Sequence, residues 1–273
     1  VTDNRKPVVG LALGSGGAFG WAHIGVLQVL EEAGLKPGVV AGTSIGAVVG
    51  AAYVLGKMGE VEEVALGVNW FEMARHADFD LFGAGLLGGD RIMETLRRNF
   101  GDAAIEDLDT PFAVVATDLA KNEKVVFRSG PVVEALRASI SIPGVFRPVR
   151  SGDSLLVDGG LCDPVPVSVC RAMGAERVIA VDVAGDHEGL SRSMGTRAGG
   201  VFKAGTVDIL TASFFMMTRA LTGANLKTHP ADLVIAPKVG HLGAQAFNRA
   251  PEFVAFGREA ALQALPQIEA LWQ

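Results

Sequence analysis

Apolar positions along the chain fall into short runs that end at glycine-rich turns, and between them lie stretches with helical spacing. Val8 to Leu13 is the first run with strand character. It ends at Gly14-Ser15-Gly16-Gly17-Ala18-Phe19-Gly20, a glycine loop. Trp21 to Ala33 then reads as a helix, with Ile24, Leu27 and Leu30 apolar, Glu31 and Glu32 polar, and Gly34 as its C-cap. A second short strand, Val39-Val40-Ala41, leads into Gly42-Thr43-Ser44-Ile45-Gly46 and a small-residue helix carrying Ala47, Val48, Val49, Ala51 and Ala52. Strand, turn and helix repeated in this way predict a layered α/β domain. No charged residue occurs from Gly38 to Gly56, a length that raises the question of a membrane span. Thr43, Ser44 and the turn in the middle favour a buried strand followed by a buried helix.

The pattern continues to the end of the chain. Helices are predicted over Val61 to Ala77, over Arg91 to Asn99 with Asp90 as N-cap, and over Val132 to Ser139, with a glycine-rich loop from Leu81 to Gly89. Phe112 to Thr117 and Lys124 to Phe127 read as paired strands around a turn at Lys121-Asn122. Ser141-Ile142-Pro143-Gly144 breaks the helix before it. Leu155-Leu156-Val157 is a strand that delivers Asp158-Gly159-Gly160. Val165 to Met173 is a helix closed by Gly174, and Arg177 to Val183 a buried parallel strand. Gly185 to Gly205 has the composition of a loop. Thr206 to Leu226 is a long helix, Leu233 to Ala236 a last strand, and Glu252 to Leu271 a terminal helix. Without an internal repeat or a dividing linker, residues 1–273 read as one domain.

Composition narrows the function. With 49% hydrophobic residues in 273, a large core is available. The 35 glycines cluster at turns rather than in a repeat. A net charge of -6 with no basic block argues against nucleic-acid binding. Cys162 and Cys170 are too few for a disulfide framework, which fits a reducing compartment and a cytoplasmic location. Val1 to Pro7 is polar and leads straight into a strand, without the apolar segment of a secretory leader.

The candidate chemistry begins at Ser44. Gly-x-Ser-x-Gly between a strand and a helix places a serine hydroxyl on a sharp turn at a helix N-terminus. A serine needs a base to take its proton and donors to hold the charge that develops on the attacked carbonyl oxygen. The Gly14 to Gly20 loop is the natural source of donors. A dinucleotide-binding reading of that loop fails, because Phe19 stands where the third glycine is needed. A phosphate-binding P-loop fails too, since no Gly-Lys-Ser/Thr follows. For the base, His229 and His241 have the chain order of a Ser-acid-His triad, while His23 sits in an apolar helix as a structural residue. His76 and His187 complete the five histidines. Asp158, at a strand end with two glycines after it, is the stronger candidate, and Asp182, Asp118 and Asp163 are weaker alternatives.

Three pieces together, the Gly14 to Gly20 loop, Gly42 to Gly46 and Asp158-Gly159-Gly160, resemble the patatin-like phospholipase family. Gly20 to Leu27, Ala138 to Phe146 and Ala231 to Ile235 resemble its bacterial and neuropathy-target-esterase-like branch, so that the likeness runs from about Val8 to Pro237, ahead of the helix near the C-terminus. The resemblance implies a three-layer α/β/α sandwich around a mostly parallel sheet. It implies hydrolysis of lipid carboxylic esters through an acyl-serine, without metal or organic cofactor. Ser44 would be the nucleophile and Asp158 its partner in a dyad without histidine, with the oxyanion hole at Gly16, Gly17 and Ala18. Gly14, Gly20, Gly42, Gly46, Gly159 and Gly160 are the motif glycines. A lipid substrate suggests peripheral contact with membranes through Leu81 to Leu87 and Phe214 to Met217, against which stands ordinary core packing. Oligomeric state is left open. A low-turnover lipid-binding relative and a Ser-His-Asp esterase are the alternatives. One departure stands out: the branch usually carries Arg or Lys at the position of Phe19, so either the substrate lacks an anionic group there or another cation, Arg147 or Arg150, takes its place.

Overall fold

The structure is a computed structural model that describes residues 6–67, 90–189 and 206–273. Strand β1 (Val9–Leu13), helix α1 (Ala22–Glu32), β2 (Val39–Thr43) and α2 (Ile45–Val54) follow the order of the apolar runs. Then come α3 (Met58–Gly67), α4 (Asp90–Phe100), β3 (Phe112–Asp118), β4 (Glu123–Phe127), α5 (Val132–Ser139), β5 (Val149–Ser151) and β6 (Ser154–Asp158). The chain ends with α6 (Val167–Ala172), β7 (Arg177–Val181), α7 (Thr206–Thr228), β8 (Leu233–Ile235) and α8 (Ala250–Ala270). The part of the helix expected over 61–77 that follows residue 67, the loop expected over 81–89 with its apolar membrane-contact stretch, most of the 185–205 loop, His76 and the side chain of Asp90 lie outside the described residues.

The strands form one sheet in the order β5-β6-β3-β2-β1-β7-β8, with β4 also on β3. The β1, β2, β3, β7 and β8 pairings are parallel, while β4 and β6 run antiparallel to β3 and β5 runs antiparallel to β6. Alternation along the strands separates two apolar layers. Leu11, Leu13, Val40, Phe112, Val114, Ile179 and Val181 pack with α1, α2 and α8. Ala12, Ala41, Ala113, Val115, Val178 and Ala180 pack with α6 and Leu226 of α7. The fold is therefore a layered α/β domain, as the strand and helix pattern predicted, and the α/β/α sandwich that the family resemblance implied. Two glycines let α1 and α8 approach closely: a Cβ on Gly25 would collide with the carbonyl of Val254, and one on Gly257 with that of Ala22. Among the described residues no helix is long and apolar enough to cross a membrane.

The pairings of β3 position the site. This strand has three partners. β4 covers Val114 to Asp118, which overlaps β2 at Val114 and Val115 and β6 at Ala116 to Asp118. A strand has two edges, so β2 and β6 must share one, end to end. Thr43 of β2 pairs with Val115, and Asp158 of β6 pairs with Ala116. Because β2 is parallel and β6 antiparallel to β3, their carboxyl ends face each other.

Two features differ from the sequence reading. β5, half of the hairpin that carries β6, has one apolar residue in three and an exposed face, so it gives no periodic signal. The Gly17–Trp21 stretch is a short 3-10 helix rather than an open loop, and all five of its residues are buried. Within it Phe19 is 4% exposed, with its ring edge-on to Phe253 of α8 at a centroid distance of 6.0 Å. The side chain at this departure from the family pattern thus belongs to the core. Phe19→Lys is expected to lower the unfolding free energy by about 3 kcal/mol, since it removes an aromatic core side chain and buries an ammonium. Phe19→Leu should cost less than about 1.5 kcal/mol. Urea unfolding of the two variants checks this, and equal midpoints would contradict the packing role.

Candidate active site

The first half of the site is the turn after β2. Ser44 has φ 56° and ψ −126°, a conformation that an L-residue holds only under constraint. Its amide donates to Ser139 Oγ at 2.8 Å, and its carbonyl accepts from the amides of Ala47 (2.9 Å) and Val48 (3.2 Å). Thr43 Oγ1, one residue earlier, donates to the carbonyl of Asp163 at 2.8 Å. The flanking glycines are required by space. A Cβ on Gly42 would stand 2.5 Å from Ala47 Cα, and one on Gly46 would collide with the carbonyl of Leu13. The turn thus presses on the end of β1 and leaves the Ser44 side chain at the N-terminus of α2.

The second half is the end of β6. Asp158 Oδ2 accepts from Ser44 Oγ at 2.6 Å, and Oδ1 accepts from the amide of Gly160 at 2.8 Å. The aspartate backbone is tied down as well: its amide donates to the carbonyl of Ser141 (2.9 Å) and its carbonyl accepts from Thr117 Oγ1 (2.9 Å). A Cβ on Gly159 would collide with the carbonyl of Val115, so the turn after Asp158 also depends on glycine. Asp158 is fully buried. Burial raises its carboxyl to about 7, although the hydrogen bonds from Ser44 and Gly160 pull the other way. A carboxylate poised near neutrality in contact with a hydroxyl can act as its base.

The glycine turn lies beside this pair because Leu13 of β1 is opposite Gly42 of β2. A Cβ on Gly20 would collide with Ile45, and one on Gly46 would stand 2.6 Å from the carbonyl of Gly14. Four amides of the turn are engaged: Gly14 with Val181 O, Ser15 with Pro164 O, Ala18 with Ala244 O at 2.9 Å, and Phe19 with Gly16 O. Among the described residues, the amides of Gly16 and Gly17 have no acceptor. Of the three expected oxyanion donors, the Ala18 amide is therefore occupied and the two glycine amides are free. His23 Nε2 sits 2.8 Å from the carbonyl of Gly14, and burial lowers this imidazole to about 4, so it is a neutral donor behind the turn.

The other candidates have different occupations. Asp118 accepts from the amides of Ala120 and Lys121. Asp163 accepts from Lys124 Nζ at 2.8 Å and from Ser168 Oγ at 3.1 Å. Asp182 accepts from the amide of Ala184. His187, His229 and His241 are exposed, and no described histidine hydrogen-bonds Ser44 or Asp158. Arg147 and Arg150 are exposed near and on β5.

Helix α7 covers the site with one face. Phe215 Cζ would be 2.9 Å from a Cβ on Gly17, Phe214 Cζ 3.2 Å from one on Gly160, and Leu210 Cδ1 3.2 Å from one on Gly144. The Phe214 to Met217 cluster is thus divided. Phe214 is buried, whereas Met216 and Met217 are 61% and 56% exposed. Sequence reasoning missed Ser139, whose hydroxyl holds the Ser44 amide. A serine at the last position of an amphipathic helix carries no signal of that role.

Comparison with known proteins shows the family and the fold of the chain. The family model described as patatin-like phospholipase matches residues 11–171. An uncharacterised NTE family protein of Mycobacterium bovis is 41% identical over 192 residues, covering 70% of this chain and 53% of its own length. A second one from the same organism is 34% identical over 276 residues, covering 95% of this chain and 47% of its own. The chain therefore spans about half the length of these relatives. A Pyricularia oryzae protein named lysophospholipase NTE1 is 27% identical over 288 residues, covering 95% of this chain and 18% of its own. Among solved structures, VipD from Legionella pneumophila superposes with a TM-score of 0.59 at 16% identity, covering 95% of this chain and 66% of VipD, a likeness of fold.

Burial of Asp158 has a consequence for stability. Its pKa rises from 3.8 to about 7 on folding, so between those values the unfolded chain releases this proton and the folded chain keeps it. Stability is therefore lost as pH climbs through that window and stays lost above it. Asp158→Asn removes the titration. It is expected to exceed wild type in unfolding free energy by a few kcal/mol at about pH 8, with the gain fading toward about pH 4. Denaturant titrations at both pH values check this, and a gain independent of pH would contradict it.

Proposed function

Because this chain belongs to the patatin-like phospholipase family, we propose that it is a serine acyl hydrolase that cleaves carboxylic esters of lipids with a Ser44–Asp158 dyad. The observation that carries the reading is the 2.6 Å hydrogen bond from Ser44 Oγ to Asp158 Oδ2. As Oγ attacks the ester carbonyl, its proton passes to Asp158. The carbonyl oxygen becomes an oxyanion that accepts from the free amides of Gly16 and Gly17, beside the N-terminus of α2. Collapse of the tetrahedral species breaks the ester bond, and the proton on Asp158 moves to the departing alkoxide. Water then gives a proton to Asp158 as it attacks the acyl-serine, the Ser44 Oγ–acyl bond breaks, and Asp158 returns the proton to Oγ as the fatty acid leaves.

The inner face of α7 supports an apolar acyl chain, with Phe214 and Phe215 against Gly160 and Gly17. Its outer face carries Met216 and Met217, 61% and 56% exposed, which suits contact with a lipid surface beside the site.

Ser44→Ala and Asp158→Asn are each expected to lower kcat on p-nitrophenyl butyrate by about 1,000-fold or more. His229→Ala and His241→Ala should leave it within about twofold. In wild type, the acid limb of kcat/KM should fall near pH 7, where Asp158 takes up its proton. Loss of activity in a histidine variant would instead favour a Ser-His-Asp esterase. Met216→Asp/Met217→Asp is expected to slow hydrolysis of phospholipid vesicles about tenfold with little change on the soluble ester. Equal effects on the two substrates would remove the membrane-contact role.

A further inference from the structure

Ser44 has a buried amide that cannot join the sheet, because its positive φ turns the chain out of strand geometry. A single hydroxyl meets that amide. Ser139 Oγ accepts from Ser44 N at 2.8 Å and donates its own proton to the carbonyl of Val115 at 2.6 Å. Val115 is the residue of β3 opposite Thr43, and the next residue, Ala116, is opposite Asp158. The relay thus ties the nucleophile backbone to the junction where the two strand ends meet. Two residues on, the carbonyl of Ser141 accepts from the amide of Asp158 at 2.9 Å. One short segment therefore holds both members of the pair. That segment is itself fixed. Arg137 Nη1 donates to Ser141 Oγ at 2.6 Å, Arg137 Nη2 donates to the carbonyl of Arg147 at 2.9 Å, and Ser141 Oγ donates to the carbonyl of Arg137 at 2.8 Å. Ser139 and Ser141 are both fully buried, so water does not substitute for these bonds from outside.

We infer that Ser139 is a positioning residue for Ser44, the hydroxyl of a brace from Arg137 to Ser141 that sets the spacing of nucleophile and acid. The inference rests on the dyad reading. Alanine at 139 leaves the Ser44 amide and the Val115 carbonyl without partners, and the strained turn can relax to a conformation that satisfies the amide elsewhere. Relaxation rotates Oγ away from Asp158. A misplacement of about 1 Å in a reacting group costs on the order of 100-fold in rate. Asp158 also loses the hydroxyl that holds its pKa down against burial, so its pKa moves upward.

The test is steady-state kinetics on p-nitrophenyl butyrate for wild type, Ser44→Ala, Ser139→Ala and Ser139→Cys, with the active fraction of each counted by fluorophosphonate burst titration. Thr222→Val, which removes another buried hydroxyl bond, inside α7 to the carbonyl of Thr218, serves as the control for lost packing. Ser139→Ala is expected to lose about 10- to 100-fold in kcat per active site with KM within about twofold of wild type. Its acid limb should move to higher pH. Ser139→Cys, with a weaker donor and acceptor of similar size, should fall between alanine and serine, and it carries the same comparison if the alanine variant does not fold. Thr222→Val should keep the wild-type pH profile. An inactive Ser44→Ala beside a Ser139→Ala with wild-type kcat and acid limb would overturn the brace and leave the dyad standing. So would a loss in Ser139→Ala that vanishes once the active fraction is counted. An active Ser44→Ala would overturn the dyad itself, and the brace with it.

Discussion

The site depends on a shared edge. β2 and β6 dock head to head against the same side of β3, and neither reaches past the other because Val115 and Ala116 are consecutive. Parallel strands in a layered α/β fold deliver their C-terminal loops to one end of the sheet, where sites gather. Here an antiparallel strand is inserted at that end and points back at the parallel one. Two residues 114 positions apart in the chain are brought into contact by register, not by a loop that has to fold over. Register in a sheet with both faces buried is strongly specified, because a slip of one residue would turn every apolar side chain to the wrong layer. The same packing that stabilises the sheet therefore fixes the hydroxyl against the carboxylate.

That placement sets the electrostatics. In water an aspartate is too weak a base to matter to a serine at neutral pH. Burial changes this by disfavouring the anion, and the hydrogen bonds from Ser44 and Gly160 limit the change so that the group titrates near 7 rather than staying protonated. In the proposed dyad, a base of that strength needs no imidazole between it and the hydroxyl. The exposed positions of His187, His229 and His241 and the engagement of His23 Nε2 with the Gly14 carbonyl are consistent with that economy.

Much of this was legible in the residues because the signals are local. The apolar run into Gly42 to Gly46, the run into Asp158 and the glycine-rich stretch after Leu13 each announce a strand end, and the near-continuous apolar runs of β1, β2, β3 and β7 announce a sheet covered on two sides. Less legible were features set by partners far along the chain. The Ala18 amide is occupied by a carbonyl 226 residues away, which composition of the turn cannot reveal. Ser139 acquires its role from Val115 and Ser44, and neither is near it in sequence. The division of Phe214 to Met217 between a buried and an exposed face follows from where α7 lies, since four consecutive apolar residues have no helical phase of their own.

The turn that offers free amides must also be rigid, since donors that reorganise during the reaction stabilise little. Its rigidity comes from behind. Ala18 is held by Ala244, Gly14 by Val181 and by the His23 ring, and Phe19 by the edge of Phe253. In the family pattern a cation takes the place of Phe19, and a buried cation would require a partner to offset its desolvation. An aromatic pair in the same place holds the turn through packing alone, with no buried charge that needs an offsetting partner. Phe19 therefore alters how the turn is supported while Gly16 and Gly17 remain available to the substrate, so the departure from the pattern is compatible with the chemistry that the rest of the site supports.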